Sequence, residues 1–253
     1  MLDYHIHALA HGEYRYSYDW LGRFLIAAKN LNIGEIGFSE HDEYINLIDF
    51  HLIGQLKERN PGIIIKMGLE VDYAPGREEE IRSLYDYAEF DYIIGSVHFI
   101  DGWAFDHPDY QAGFLNRDVD EVYQSYCYLL KKAVESGLFD IIGHIDLVKK
   151  WGHRPLKKNV LEYLDPVLTS IKDSDLVIEI NSSGLNKPVR EIYPSLEVLE
   201  RIYQMGIPIT LGSDAHNPQE LGQNFTDAVY WAKKIGFKKL AHFEKRRKKL
   251  KTF

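Results

Sequence analysis

The chain has a single cysteine, Cys127, so no internal disulfide is possible. A fold stapled by disulfides is excluded, and a reducing, cytoplasmic setting is the expectation. Apolar runs long enough to span a bilayer are missing, as is a basic-then-apolar leader at the N-terminus. An overall basic excess is lacking too: 30 Lys and Arg stand against 38 Asp and Glu, a net charge of −8. That balance argues against a nucleic-acid binder. There is no Pro/Gly/Ser-rich linker, no low-complexity tract and no short repeat. The one strongly basic stretch, Lys245-Arg246-Arg247-Lys248-Lys249, sits near the C-terminus and reads as a solvated helix end or tail.

What remains is an ordinary globular composition, 45% hydrophobic and 27% charged over 253 residues, which suits one domain spanning 1–253. Short β-branched runs alternate with segments of helical spacing. The strands are expected at Leu2–His7, Glu35–Ser39, Ile63–Val71, Tyr92–His98, Ile141–Ile145, Val177–Asn181 and Ile207–Ser213. Between them the spacing predicts helices over Trp20–Leu31, Ile45–Lys57, Val119–Ser136, Leu161–Ile171, Ser195–Met205 and Gln219–Ile235. Apolar strands separated by crossover helices imply a parallel sheet buried on both faces.

Most of these strands end in His, Asp or Glu. The endings are His5-Ile6-His7 with His11 close behind, Ser39-Glu40-His41, Gly68-Leu69-Glu70, Gly95-Ser96-Val97-His98, Gly143-His144-Ile145-Asp146 and Gly212-Ser213-Asp214-Ala215-His216. Residues two apart on a strand share a face, so His5 and His7 can reach one ion. A buried carboxylate such as Glu70 needs a charge partner, and it can bridge two ions. One such ending means little; a series of them describes ligands around one mouth. Residues near both chain ends meet there only if the first and last strands are neighbours, which favours a closed or nearly closed seven-stranded barrel over an open sheet. His51, His107, His153 and His242 cap no strand; His51 and His242 read as surface residues, while His107 and His153 are placed near the mouth.

With these motifs in view, the chain resembles the PHP (polymerase and histidinol phosphatase) family, in its histidinol-phosphate phosphatase branch. The stretch Ser96–Trp103 and the run Asn181-Ser182-Ser183-Gly184-Leu185 carry the branch resemblance, together with Ile192-Tyr193-Pro194. The resemblance implies an α/β fold, a distorted (β/α)7 barrel with its metal site at the C-terminal ends of the strands. It implies three divalent ions drawn from zinc, manganese and iron. His5, His7, Glu70 and Asp214 would hold one; Glu70 would bridge to a second completed by His98 and His144; His11, His41 and His216 would hold the third. The implied reaction is phosphomonoester hydrolysis, with metal-activated hydroxide attacking a small phosphorylated substrate such as L-histidinol phosphate. Glu70, Asp214 and His216 would be the catalytic groups, with Asp214 or His216 protonating the leaving alkoxide. Arg154, Lys187 and Arg190, in loops beyond the strands, are candidate phosphate clamps. Asp101 and Asp106 are candidate partners for a substrate ammonium group, beside a wall of Trp103 or Phe105. Three rivals share some of these features: amidohydrolase chemistry, a phosphoesterase acting on other phosphomonoesters or on nucleic acid, and a metal-binding scaffold without activity.

Overall fold

The structure, a computed structural model, describes all residues from Met1 to Phe253. In chain order its main elements are β1 (Leu2–Ile6), α1 (Tyr18–Asn30), β2 (Glu35–Phe38), α2 (Phe50–Arg59), β3 (Ile64–Asp72), α3 (Glu78–Leu84) and β4 (Tyr92–Ser96). A small hairpin of β5 (Phe99–Ile100) and β6 (Trp103–Ala104) comes next. It is followed by α4 (Val119–Glu135), β7 (Ile141–Ile142), α5 (Val160–Asp173), β8 (Val177–Asn181), α6 (Leu196–Met205), β9 (Ile209–Gly212) and α7 (Phe225–Ile235). The chain ends in a second hairpin, β10 (Lys239–Glu244) and β11 (Arg247–Thr252).

Seven parallel strands lie in the order β1-β2-β3-β4-β7-β8-β9. The ends of this sheet meet, so the barrel is nearly closed. The seam is held by His7 N–H donating to the Ala215 carbonyl (2.8 Å) and Ala215 N–H to the His5 carbonyl (3.2 Å). The buried Asp3 carboxylate adds to it, accepting from Ser213 N–H (2.9 Å), Ser213 Oγ (2.6 Å) and Gly222 N–H (3.0 Å). These contacts satisfy backbone groups that an open edge would leave bare. Inside, the Tyr92 ring lies across Gly37 and Gly68, where any Cβ would collide with it. Its hydroxyl donates to the Tyr4 carbonyl (2.6 Å), and the two tyrosine rings stack at 4.6 Å.

The helices start where capping residues stand. Ser17 accepts from Trp20 N–H, Asp118 from Asp120 N–H, and Asn159 forms a capping box with Glu162. Two helices differ from expectation for local reasons. The segment expected as Ile45–Lys57 is split into a 3-10 turn (Asp42–Leu47) and α2, because Asp49 caps a new start by accepting from Leu52 N–H at 2.9 Å. Helix α7 begins at Phe225 rather than Gln219. Gly222 and Asn224 have positive φ, and Gly222 N–H is engaged by Asp3.

The basic C-terminal stretch is not a solvated tail. It turns between β10 and β11, and the hairpin covers the N-terminal end of the barrel. Phe243 N–H donates to Tyr4 Oη (3.1 Å), Thr210 Oγ1 to the Ala241 carbonyl (3.1 Å), and Arg246 pairs with Asp140 (2.8 Å). His242, expected at the surface, is half-buried there and bonds Glu35 Oε2 through Nδ1 at 2.7 Å. Tyr4 donates to the same Glu35 carboxylate. Strand alternation puts Ala241 and Phe243 on one face of β10, and both are buried, which the charge pattern alone obscured.

Candidate metal centre

At the opposite, C-terminal end of the barrel a cleft of about 530 Å³ opens. Glu70, near the end of β3 and 1% exposed, stands at its centre. Five imidazoles converge on its carboxylate. His41 Nδ1 (2.9 Å), His5 Nε2 (3.3 Å) and His7 Nε2 (3.3 Å) face Oε2; His144 Nε2 (3.0 Å) and His98 Nε2 (3.6 Å) face Oε1. Asp214, just past β9, adds Oδ1 at 3.5 Å from His7 Nε2 and 3.8 Å from His216 Nδ1. The His11 ring lies 4.6 Å from that of His216 and 5.1 Å from that of His41. All of the sequence-predicted ligands therefore meet in one place. The donor atoms of all but His11 fall into overlapping groups: His5/His7/Asp214, His5/Glu70/His144, His41/Glu70/His98 and His7/His41/His216.

The hydrogen-bond inventory tests whether these residues suit metal ions. His5 Nε2, both ring nitrogens of His7, Glu70 Oε2, His144 Nδ1 and His216 Nε2 are buried and have no hydrogen-bond partner. Orphans of this kind are rare in protein interiors, because each costs desolvation with nothing in return. The Nδ1 atoms of His5 and His216 are by contrast engaged. His5 Nδ1 meets Glu179 Oε1 at 2.6 Å, and His216 Nδ1 meets the Asp214 carbonyl at 3.1 Å. Carboxylate and carbonyl only accept, so both rings carry a proton on Nδ1 and leave Nε2 as the atom that a cation in the cleft would meet. Orphaned lone pairs beside buried carboxylates fit divalent cations.

Charge tells the same story. Burial disfavours an ionised Glu70, yet His5, His41 and His98 hold it well below the usual carboxylate range. Asp214 is likewise held low, by His5, His7 and His216 against burial. Burial lowers His11 and His216 to about 4, with neighbouring histidines adding to the effect, so both are neutral and able to ligate. Burial also opposes charge on His98, but Glu70 and Asp72 outweigh it and raise this ring to about 10. The carboxylates thus demand positive charge, and without an ion they draw it from the histidines.

The predicted substrate contacts divide. Lys187 and Asp106 line the cleft, as does His107. Arg154 and Arg190 do not; they line an adjoining cavity with Leu185, Ile192 and Trp231, and Arg154 is paired with Glu191. Asp101 lies in a third hollow, next to Tyr73 and Tyr128. Trp103 packs on Phe114 at 4.8 Å and Phe105 is fully buried, so the expected aromatic wall is part of the packed support behind the cleft. His153 stacks on Phe114 at 4.3 Å, and His51 is exposed, 2.7 Å from Gln55. The reason is geometric: loop position shows that a residue is near the rim, not which side of it the chain turns.

Sequence reasoning also missed several residues. Arg77 and Lys150 line the cleft, the former bonded to Asp42 (2.7 Å) and the latter to Asp106 (3.1 Å). Glu40 accepts from Leu9 N–H and Tyr16 Oη, which pins the loop bearing His11. Asp72 accepts from His98 N–H at 3.0 Å. Glu179 supports His5 from the middle of β8. The Glu-x-Asn spacing on a predicted strand was the one available signal for Glu179, since a carboxylate inside a buried strand needs a partner.

A nearly closed parallel barrel with a multi-ligand His/Glu/Asp cluster at its C-terminal rim defines a metal-binding (β/α)7 protein. The PHP domain family model matches residues 3–183, and the chain belongs to that family. The chain is similar to a probable histidinol-phosphatase of Deinococcus radiodurans, 40% identical over 173 residues, 68% of this chain and 65% of that protein. The aligned part thus spans just under two thirds of that relative. The histidinol-phosphatase of Lactococcus lactis is 28% identical over 258 residues, covering 96% of this chain and 94% of its own. Among solved structures, the Lactococcus lactis histidinol phosphate phosphatase complexed with zinc, L-histidinol and phosphate superposes with a TM-score of 0.79, 25% identity and 98% coverage of both chains. No helix of the present chain is long and apolar enough to cross a membrane.

Proposed function

We propose that this chain, over 1–253 as one domain, is a metal-dependent phosphomonoesterase that hydrolyses L-histidinol phosphate to L-histidinol and phosphate, a reaction of histidine biosynthesis. The observation that carries this reading is the near full-length likeness to the Lactococcus lactis enzyme, whose structure holds zinc and both products of that reaction, combined with the orphaned donor atoms of the cleft. Three ions, of zinc, manganese or iron, would be held by His5, His7, Glu70 and Asp214, by Glu70, His98 and His144, and by His11, His41 and His216. When bound, such ions polarise phosphoryl oxygens and lower the pKa of water.

The chain's own residues do the rest. Lys187 lines the cleft and forms no ion pair, so its ammonium is free to meet the phosphate. Asp106 is held below the usual carboxylate range, because His98 and Lys150 outweigh burial. It therefore presents a negative charge to the amine of the substrate. Glu70 and Asp214 orient the imidazoles around the reacting phosphate. Asp214, ionised at rest and able to take up the proton that the attacking water releases, or His216, neutral with its proton on Nδ1, would protonate the leaving alkoxide. Arg154 and Arg190 line the adjoining cavity, with Arg154 paired to Glu191, and are not among the residues lining the cleft.

A cytoplasmic setting and a small-molecule substrate accompany this reading, with no nucleic-acid partner. On the basic hairpin Lys245 pairs with Glu89, Lys248 with Asp175 and Lys249 with Glu244, which reduces the positive charge left unpaired there. The test is phosphate release by the metal-loaded chain from L-histidinol phosphate and from a panel of other phosphomonoesters. A kcat/KM for L-histidinol phosphate about a hundredfold above the panel, equal to about 2.7 kcal/mol of discrimination, is expected. Comparable slow turnover of every member would replace this reading with a broader phosphoesterase. In the same assay Lys187→Ala is expected to raise KM with little change in kcat.

A further inference from the structure

We infer that Glu179 is a positioning residue for the metal centre: one buried carboxylate that fixes His5 and the His144 segment at the same time. This rests on the metal reading above and goes beyond it, because Glu179 is not among the proposed ligands.

Glu179 lies mid-strand on β8 and is 1% exposed. Its Oε1 accepts from His5 Nδ1–H at 2.6 Å, across the barrel from β8 to β1. Its Oε2 accepts from the backbone N–H of His144 at 2.9 Å and from Asn181 Nδ2 at 3.3 Å. Asn181 Nδ2 also reaches Asp214 Oδ2 at 3.4 Å, so the same network touches a third proposed ligand. His5 and His144 flank Glu70 in one of the four donor groups. The spacing between those two rings is thus set by a single side chain that touches neither the cleft nor solvent.

The barrel makes room for this carboxylate at Gly212. A Cβ there would overlap Glu179 Oε1 and stand 2.6 Å from His5 Cβ. The glycine that precedes Ser213-Asp214 in the sequence motif therefore has a physical reason. It admits the support of the ligands rather than the ligands themselves.

A carboxylate can satisfy both contacts because each of its oxygens only accepts. A glutamine cannot. Whichever way its amide is turned, its NH₂ faces either the His5 Nδ1–H or the His144 N–H, donor against donor. Glu179→Gln keeps the size of the side chain and removes one of the two restraints, while Glu179→Asp keeps the charge and shortens the reach.

The experiment measures zinc content and zinc affinity, by elemental analysis and chelator competition, for the wild-type chain, Glu179→Gln, Glu179→Asp and Gly212→Ala. Glu179→Gln is expected to bind zinc about 10–100-fold more weakly, the usual effect of removing a hydrogen-bond partner of a metal-ligating histidine. Glu179→Asp should recover part of the loss, and Gly212→Ala should weaken binding in the same direction. Unaltered zinc content and affinity in Glu179→Gln would overturn the inference. A second readout needs no variant: ¹⁵N spectra of histidine-labelled wild-type protein should show His5 protonated at Nδ1, and protonation at Nε2 instead would overturn it. If the wild-type chain bound none of zinc, manganese or iron, the metal reading itself would fail and this inference with it.

Discussion

Stripping the ions from the protein should lower its thermal stability by an amount that can be worked out beforehand. In the metal-free cleft, His5 Nε2, both His7 nitrogens, Glu70 Oε2, His144 Nδ1 and His216 Nε2 are buried without partners. Glu70 and Asp214 also remain ionised there. An ion that binds only the folded chain stabilises it by about 2.7 kcal/mol per site when its free concentration is a hundred times Kd. For a chain of this size each kcal/mol moves Tm by about 2–4 °C. One such site therefore accounts for about 5–11 °C, and further sites add to it. The assay is a melting curve followed by circular dichroism, on protein loaded with zinc and on protein stripped by a chelator, with metal content confirmed by elemental analysis. Equal Tm values for the two, with stripping verified, would mean that the cleft does not bind ions in the folded state, and the reasoning from orphaned atoms would be wrong.

Other perturbations test the supporting structure. Phe243→Ala removes a buried ring from the hairpin that closes the barrel base. It should cost about 3–5 kcal/mol in urea unfolding yet leave zinc content unchanged; a loss of zinc would mean that the two ends of the barrel are coupled. Glu35, 4% exposed, is held below its usual range because His242, Tyr4 and Lys251 outweigh burial. A depressed carboxyl stabilises the fold above its unfolded pKa of about 4.3 and loses that contribution as pH falls through the folded value. The stability gap between wild type and Glu35→Gln should accordingly be full near pH 6 and shrink below about pH 4.3; a gap independent of pH would contradict the assignment. Burial, with the Asp146 charge adding to it, pushes the Cys127 thiol up to about 12. A thiol reagent at pH 8 should leave the native protein unlabelled and modify it once unfolded, whereas rapid native labelling would show that α4 opens locally.

The cluster of candidate metal ligands was legible in the sequence because most of its members stand at the end of a local pattern. A β-branched run predicts a strand, its last residue predicts a rim position, and the two-residue spacing of His5 and His7 or Asp214 and His216 predicts a shared face. The alternation of strands and helices likewise implied the parallel barrel, and ligands at both chain ends implied its closure, as the β1–β9 seam shows. Boundaries were less certain where local bonding intervened, as at Asp49 and Gly222. Tertiary structure alone decided the rest. Glu179 meets His5 although 174 positions separate them, and no local period encodes such a pairing. Arg154 and Arg190 turned away from the cleft while Arg77 and Lys150 turned into it, because the direction of a loop depends on what it packs against. The basic C-terminus became a plug on the barrel because Phe243 and Glu35 each found partners there. Residue type and spacing thus determined what chemistry the rim offers, and long-range packing determined which side chains hold it in place.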